Sequence, residues 1–287
     1  MGEAGAVSEP APAKLNLFLR VLGRREDGYH DLRSLIVPIT LADGVQARRS
    51  ERLILTVVGE CAADVPRREE NLVVRAARAL AGAVGIEPAA SLLLSKRIPV
   101  AAGLGGGSGD AAATLRALAR LWGVEAGPPR LREIGARIGS DVPALVEVRP
   151  ALVGGRGEVV EPVEVPRTWW VLLTQTYGVR AGDAYRWWDE DERPGGADPE
   201  ALVAAIRAGE LERAGPLLSN DLEAPVTARH AEVGTARDRL LEAGALGAVM
   251  VGSGPTVAGL VRDGFQAEEV AASAGGIATS AISRVPA

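Results

Sequence analysis

Residues 99–113 read Pro99-Val100-Ala101-Ala102-Gly103-Leu104-Gly105-Gly106-Gly107-Ser108-Gly109-Asp110-Ala111-Ala112-Ala113, with five glycines between 103 and 109. Leu115, Leu118, Leu121 and Trp122 follow at helical spacing and Gly123 ends the run, which predicts an amphipathic helix beginning near Ser108. Glycines let the backbone approach a ligand closely and expose successive N–H groups, and a helix N-terminus adds partial positive charge. The segment is an anion cradle suited to phosphates. It is not a Walker A loop, because no Gly-Lys-Ser/Thr follows. Nor is it a dinucleotide fingerprint, because the last glycine and the acidic residue about 20 positions on are missing. Both gaps argue against a nicotinamide oxidoreductase.

Five further features carry chemistry. Lys96 lies three residues before Pro99 and either reaches the nucleotide or is a solvated strand-end charge. Lys14 and Asn16, in Pro12-Ala-Lys-Leu-Asn-Leu, are two apart, so on a strand they share a face. They imply a polar cavity or a solvated edge, the edge being the plainer reading. Gly139-Ser-Asp141-Val-Pro143 places an Asp in a tight turn, commonly a cap or an Asx turn. Phosphoryl transfer, however, needs a group to orient the attacking hydroxyl and a cation for the developing charge, which a Lys–Asp pair supplies. Gly23–Leu32 presents Tyr29 and His30 together, an aromatic face beside a donor/acceptor ring, suited to stacking on a nucleobase. Gly252-Ser-Gly-Pro-Thr256 is either a plain hairpin turn or a second anion cradle.

Composition agrees with an ordinary globular protein, expected in the cytoplasm. The chain has 287 residues, 47% hydrophobic and 24% charged, with a net charge of −5 and acids and bases mixed, which argues against nucleic acid or anionic membrane as partner. No apolar run reaches the roughly 18 residues of a membrane span, and Met1–Pro12 lacks the pattern of a signal peptide. Cys61 is the sole cysteine and the two histidines are far apart, so neither an internal disulfide nor a zinc site is expected. Of 32 basic residues only Lys14 and Lys96 are lysines. A chain so biased toward Arg keeps Lys where a compact ammonium is wanted.

Strands are expected at 15–21, 35–41, 53–58, 91–94, 169–173, 247–251 and 256–261. Helices are expected from the Asn71 cap to Val84 with Gly85 as stop, over 131–138, 199–208, 210–218, 229–243 and 266–274. Residues 151–168 read as a hairpin and crossing segment, and 189–198 as an exposed loop. The economical architecture is α+β in two lobes with a boundary near residue 165.

In order, these segments resemble the GHMP small-molecule kinases. Pro99–Ala113 is similar to that superfamily's phosphate-binding motif, and Gly252–Thr256 to its C-terminal glycine motif. Pro12–Leu17, Gly23–Leu32, Asn71–Ala77 and Asn220–Glu223 resemble more specifically the branch that phosphorylates 4-diphosphocytidyl-2-C-methyl-D-erythritol in non-mevalonate isoprenoid synthesis. The resemblance implies a GHMP-kinase-like fold, with a ribosomal protein S5 domain 2-like lobe over 1–165 and a ferredoxin-like lobe over 166–287. It implies Lys14 and Asp141 as the catalytic pair. It assigns Asn71, Lys96, Pro99, Val100, Ala101, Ala102, Gly103, Leu104, Gly105, Gly106, Gly107, Ser108 and Gly109 to ATP, and Asn16, Tyr29, His30 and Tyr185 to the substrate. ATP with Mg²⁺ is the expected cofactor, with no protein metal site. The expected partner is a small cytidine diphosphate compound, the protein acting as monomer or weak homodimer. Three departures stand out. Gly109 replaces the second serine of the usual pair, Gln175-Thr-Tyr-Gly lacks an expected proline, and Pro38 stands where an aromatic or polar residue is common. The competing readings are a GHMP kinase for mevalonate, homoserine or a sugar, whose substrates have no base to stack on Tyr29 and His30, and a nucleotide-binding protein without turnover.

Overall fold

Two long strands, β1 (Val7–Arg24) and β2 (His30–Arg49), begin the fold, and each runs from one compact unit of the chain into the other. The structure, a computed structural model, describes residues 5–191 and 199–283. One unit comprises residues 1–13, 41–100 and 105–148; the other comprises 14–40, 101–104 and 149–287. These units interleave along the chain, whereas lobes of residues 1–165 and 166–287 divide it by order and leave both long strands whole.

In the first unit, the second half of β2 pairs antiparallel with β4 (Ala90–Ser95), from Gly44↔Ser95 to Arg49↔Ala90. β3 (Ile54–Val58) pairs parallel with β4 on its other side. A parallel pair needs a crossover, and α1 (Leu72–Val84) supplies it. Asn71 caps α1 by accepting from the Val73 N–H at 2.8 Å, and Gly85 ends it with φ 72°. Helices α2 (Gly106–Trp122), α3 (Pro128–Ala136) and α4 (Val142–Leu145) complete this unit. Its core joins Val45, Leu92 and Leu94 from the sheet with Val73, Ala76 and Leu80 from α1 and Ala112, Leu115 and Leu118 from α2. Each covered leucine contributes about 1.5–3 kcal/mol.

The second unit holds the hairpin β5 (Ala151–Gly154) and β6 (Val159–Pro162), with β5 antiparallel to the first half of β2. β7 (Trp169–Leu173) is followed by α5 (Ala181–Asp191), α6 (Pro199–Ala208), α7 (Leu211–Ala214) and β8 (Ser219–Asn220), which pairs parallel with β1. Then come α8 (Glu223–Arg229), α9 (Ala231–Glu242), β9 (Gly247–Met250), β10 (Val257–Val261), α10 (Gly264–Ala274) and β11 (Ile277–Ser280). The sheet order β11-β7-β10-β9 is antiparallel throughout. Numbered within this sheet it reads 4-1-3-2, the ferredoxin-like β-α-β-β-α-β arrangement expected for the C-terminal part. Leu173, Val226, Val233, Leu240, Met250 and Val270 form its core.

Several local expectations are corrected. Residues 189–191 belong to the end of α5, not to a loop; Arg186 pairs with Asp183 at 3.0 Å and Glu190 at 3.7 Å along that helix. The rest of that loop, 192–198, lies outside the described residues. α3 starts at Pro128, because proline is pre-organised for the first helical positions, and ends at Ala136 rather than Ile138. β2 is far longer than 35–41, and within it the Pro38 carbonyl accepts from the Ile282 N–H at 2.8 Å. Among the described residues no helix is long and apolar enough to cross a membrane.

Candidate active site

The glycine loop owes its shape to positive backbone angles. Ala101 has φ 56°, Gly103 80° and Gly105 67°, the last being the N-cap of α2. The helix starts two residues before Ser108, and its first turn is Gly106-Gly107-Ser108-Gly109. The first intrahelical bond runs from the Gly109 N–H to Gly105 O at 2.9 Å, so helix geometry leaves the N–H groups of Gly106, Gly107 and Ser108 without an intrahelical acceptor. These bare donors and the helix dipole fit a phosphate group. A Cβ at Gly109 would lie 2.7 Å from Pro12 O, which explains why glycine stands there in place of serine. At Gly106 it would lie 3.0 Å from Ile98 Cγ2 and 3.3 Å from Lys96 Nζ, so a larger residue there presses on the unit's own interior.

Lys96 is 2% exposed, so the solvated strand-end reading is wrong. Its ammonium donates to Asp43 Oδ2 and, at 2.9 Å, to Asp110 Oδ2 on α2. Asp43 Oδ1 also accepts from the backbone N–H groups of Arg97 (2.5 Å) and Ile98 (2.9 Å). Burial works against the charged form of Lys96, but the pull of Asp110 and Asp43 outweighs it and the pKa rises. Asp110 is pushed up to about 7, first by burial and further by Asp43, against the lowering effect of Lys96. Two carboxylates thus share one cation beneath the loop, and Asp110 Oδ1 is buried without a partner.

The second unit builds its own polar cluster around Lys14. Lys14 and Asn16 are each 2% exposed, which overturns the solvated edge and leaves the polar interior. Lys14 Nζ donates to Asn16 Oδ1 at 2.6 Å and to Gly103 O at 2.9 Å. Asn16 Nδ2 donates to Ser34 Oγ (2.8 Å), which donates to Phe18 O (2.6 Å). The Lys14 N–H meets Leu104 O at 2.9 Å, tying β1 to the loop.

The second glycine turn packs directly on this cluster. A Cβ at Gly103 would lie 2.2 Å from Val251 O, and one at Gly252 would lie 2.6 Å from Gly103 O and 2.8 Å from Lys14 Nζ. Only glycines allow two backbones to approach so closely. The Thr256 N–H reaches Ala102 O at 3.4 Å. Asn220 secures the turn from behind, donating to Met250 O (2.8 Å) and Gly252 O (2.7 Å). Gly252–Thr256 therefore joins β9 to β10 and buttresses the first loop.

Asp141 belongs to the first unit and directly precedes α4; its side chain makes no capping bond to that helix. Asn71 uses both side-chain groups locally, capping α1 and donating to Pro66 O at 2.6 Å. Val100 is 40% exposed at the mouth of the loop. In the second unit Tyr29 is half exposed with the Arg156 guanidinium 4.9 Å from its ring centroid. His30 is buried, stacked on Tyr185 at 4.8 Å with Trp188 edge-on at 5.9 Å, and its Nε2 lies 2.7 Å from Asp189 Oδ1. The structure thus brings together Lys14, Asn16 and Gly103, His30 and Tyr185, and Lys96 and Gly106. Sequence reading missed Asp43, Asp110, Ser34 and Asp189, and named Asn220 only as part of the Asn220–Glu223 resemblance. The one available signal was that a lysine kept among arginines beside an apolar strand needs a carboxylate if it is buried.

Residues 71–155 match the family GHMP kinases N terminal domain, and residues 202–276 match GHMP kinases C terminal. The chain is 44% identical over 256 residues to a protein of Symbiobacterium thermophilum named 4-diphosphocytidyl-2-C-methyl-D-erythritol kinase, covering 88% of this chain and 89% of that protein. A crystal structure of 4-(cytidine 5'-diphospho)-2C-methyl-D-erythritol kinase superposes with a TM-score of 0.81 at 34% identity, covering 96% of this chain and 98% of the other. Homoserine kinase from Cytophaga hutchinsonii, at 19% identity and a TM-score of 0.74 over 99% and 96% of the two chains, shares the fold.

Proposed function

Because the chain belongs to the GHMP kinases, within the family of 4-diphosphocytidyl-2-C-methyl-D-erythritol kinases, we propose that it transfers the γ-phosphoryl group of ATP to the 2-hydroxyl of 4-diphosphocytidyl-2-C-methyl-D-erythritol. It is an ATP-dependent small-molecule kinase. The observation that carries the reading is the fixed ammonium of Lys14, held by Asn16 and Gly103 O where the two glycine turns meet.

The loop residues Pro99–Gly109 hold the phosphates through backbone N–H groups and the N-terminus of α2. Asp141 orients the acceptor hydroxyl and takes its proton as the new oxygen–phosphorus bond forms and the bond to the β-phosphate oxygen breaks. Lys14 stabilises the charge that develops on the transferred phosphoryl. Mg²⁺, carried on the nucleotide's phosphates, would neutralise part of their charge. Tyr29 and His30, with Tyr185, hold the cytosine, residues 1–165 forming the nucleotide lobe and 166–287 the second lobe. Asn71 and Lys96 serve ATP by fixing α1 and the floor of the loop.

A coupled ATP-consumption assay tests the reading. Turnover is expected with the cytidine diphosphate acceptor and not with mevalonate, homoserine or galactose. Equal turnover with an acceptor lacking the cytidine would refute it.

A further inference from the structure

His30 is gripped by a single face of α5. Tyr185, Trp188 and Asp189 are spaced i, i+3 and i+4, so they project from the same side of the helix. Tyr185 stacks on the imidazole at 4.8 Å with an interplanar angle of 20°, and Trp188 closes its edge at 5.9 Å and 86°. Asp189 Oδ1 lies 2.7 Å from Nε2, and its Oδ2 is 3.9 Å from Arg24 Nη1. The His30 side chain is 7% exposed, and packing on two sides restricts both rotation and flipping.

This geometry determines the tautomer. A carboxylate can only accept, so Nε2 carries the proton and in the neutral ring Nδ1 is an acceptor. Nδ1 makes no hydrogen bond among the described residues. Cytosine and uracil differ at the pyrimidine 4-position, where cytosine offers an amine donor and uracil a carbonyl acceptor. An Nδ1 lone pair accepts from the first and repels the second.

We propose that Asp189 is a positioning residue that fixes His30 with Nε2 protonated, and that this tautomer makes the substrate site select a cytosine base over a uracil base. The proposal rests on the reading that Tyr29 and His30 hold the base. Asp189→Asn keeps the size of the side chain but replaces one acceptor by an amide donor. The amide can turn its donor toward Nε2, which moves the ring proton to Nδ1, where it would favour the uracil carbonyl.

The test compares kcat/KM for the cytidine acceptor and its uridine analogue in the wild type, Asp189→Asn and His30→Ala. One hydrogen bond gained or lost against the wrong base changes selectivity by about ten-fold. The cytidine-to-uridine ratio is therefore expected to fall about ten-fold or more in Asp189→Asn, with KM for ATP near its wild-type value. If His30→Ala raises KM for the acceptor but Asp189→Asn keeps the wild-type ratio, the tautomer role is overturned while the base-binding reading stands. If His30→Ala leaves acceptor KM unchanged, the base-binding reading falls and the proposal falls with it. Long-range proton–nitrogen correlation spectra of the imidazoles give an independent readout, since the chain has only two histidines and His230→Gln assigns them. The Nε2–H pattern is expected for His30 in the wild type; an Nδ1–H pattern there overturns the proposal, even if the Asp189 variant does not fold.

Discussion

Lys14 and Lys96 are equally buried, at 2% exposure, and differ in what faces them. Lys96 lies between Asp43 and Asp110, and its charge serves the interior of the first unit. Lys14 donates to Asn16 Oδ1 on its own strand and to Gly103 O in the glycine loop. Burial of an ammonium therefore does not by itself mark a catalytic group. The two ammoniums hold different parts of the fold: Lys96 ties α2 to β2 through Asp110 and Asp43, whereas Lys14 ties β1 to the glycine loop.

The largest contrast is expected in turnover. Lys14→Met, and Asp141→Asn with it, should each reduce kcat by at least about 100-fold while both substrates still bind, because a general base and a fixed cation each contribute about 10²–10⁴-fold. On the proposed mechanism both residues would act on one transition state, so the double variant should be less impaired than the product of the singles. Rapid-quench kinetics alongside calorimetric titration check this. Lys96→Met should act on the fold instead. It leaves two buried carboxylates without their cation and is expected to lower unfolding stability by about 3–5 kcal/mol in urea titration. A stable Lys96→Met protein with a chemical defect as deep as that of Lys14→Met would erase the distinction.

A smaller effect depends on pH. The Asp110 carboxyl is raised from 3.8 to about 7 by burial, so the folded state binds more protons than the unfolded state between those values. Stability from this group is present below about pH 4 and is lost as pH rises through about 7. Asp110→Asn lacks that loss, so its stability deficit against the wild type should shrink between pH 5 and pH 8. A deficit that grows over that range would contradict the shared-cation arrangement. The smallest effect is at the cap of α1: Asn71→Ala should cost about 1 kcal/mol, read as a lowered melting temperature.

Legibility followed the range of the interactions. The span of α1 was readable because Asn71 and Gly85 act on their own helix ends, and the glycine loop because its chemistry is contiguous. Lys14 and Asn16 were correctly placed on one face, but whether that face met water depended on Ser34, 18 residues from Asn16, and on Gly103, 89 from Lys14. The partners of Lys96 are 53 and 14 positions away and left no local signature. The last turn of α5 was masked by its acids, which resemble a loop until their pairing with Arg186 is seen. The interleaving of the units was hidden because β1 and β2, at 18 and 20 residues, are longer than any apolar run within them.

The most direct measurement is the identity of the phosphorylated product. The wild-type protein, given ATP, Mg²⁺ and 4-diphosphocytidyl-2-C-methyl-D-erythritol, should yield one ADP for each new phosphomonoester, with phosphorus–carbon coupling in the NMR spectrum placing that phosphate on the 2-hydroxyl. ADP released with free phosphate and an unchanged acceptor, or phosphate on a different hydroxyl, would contradict the account.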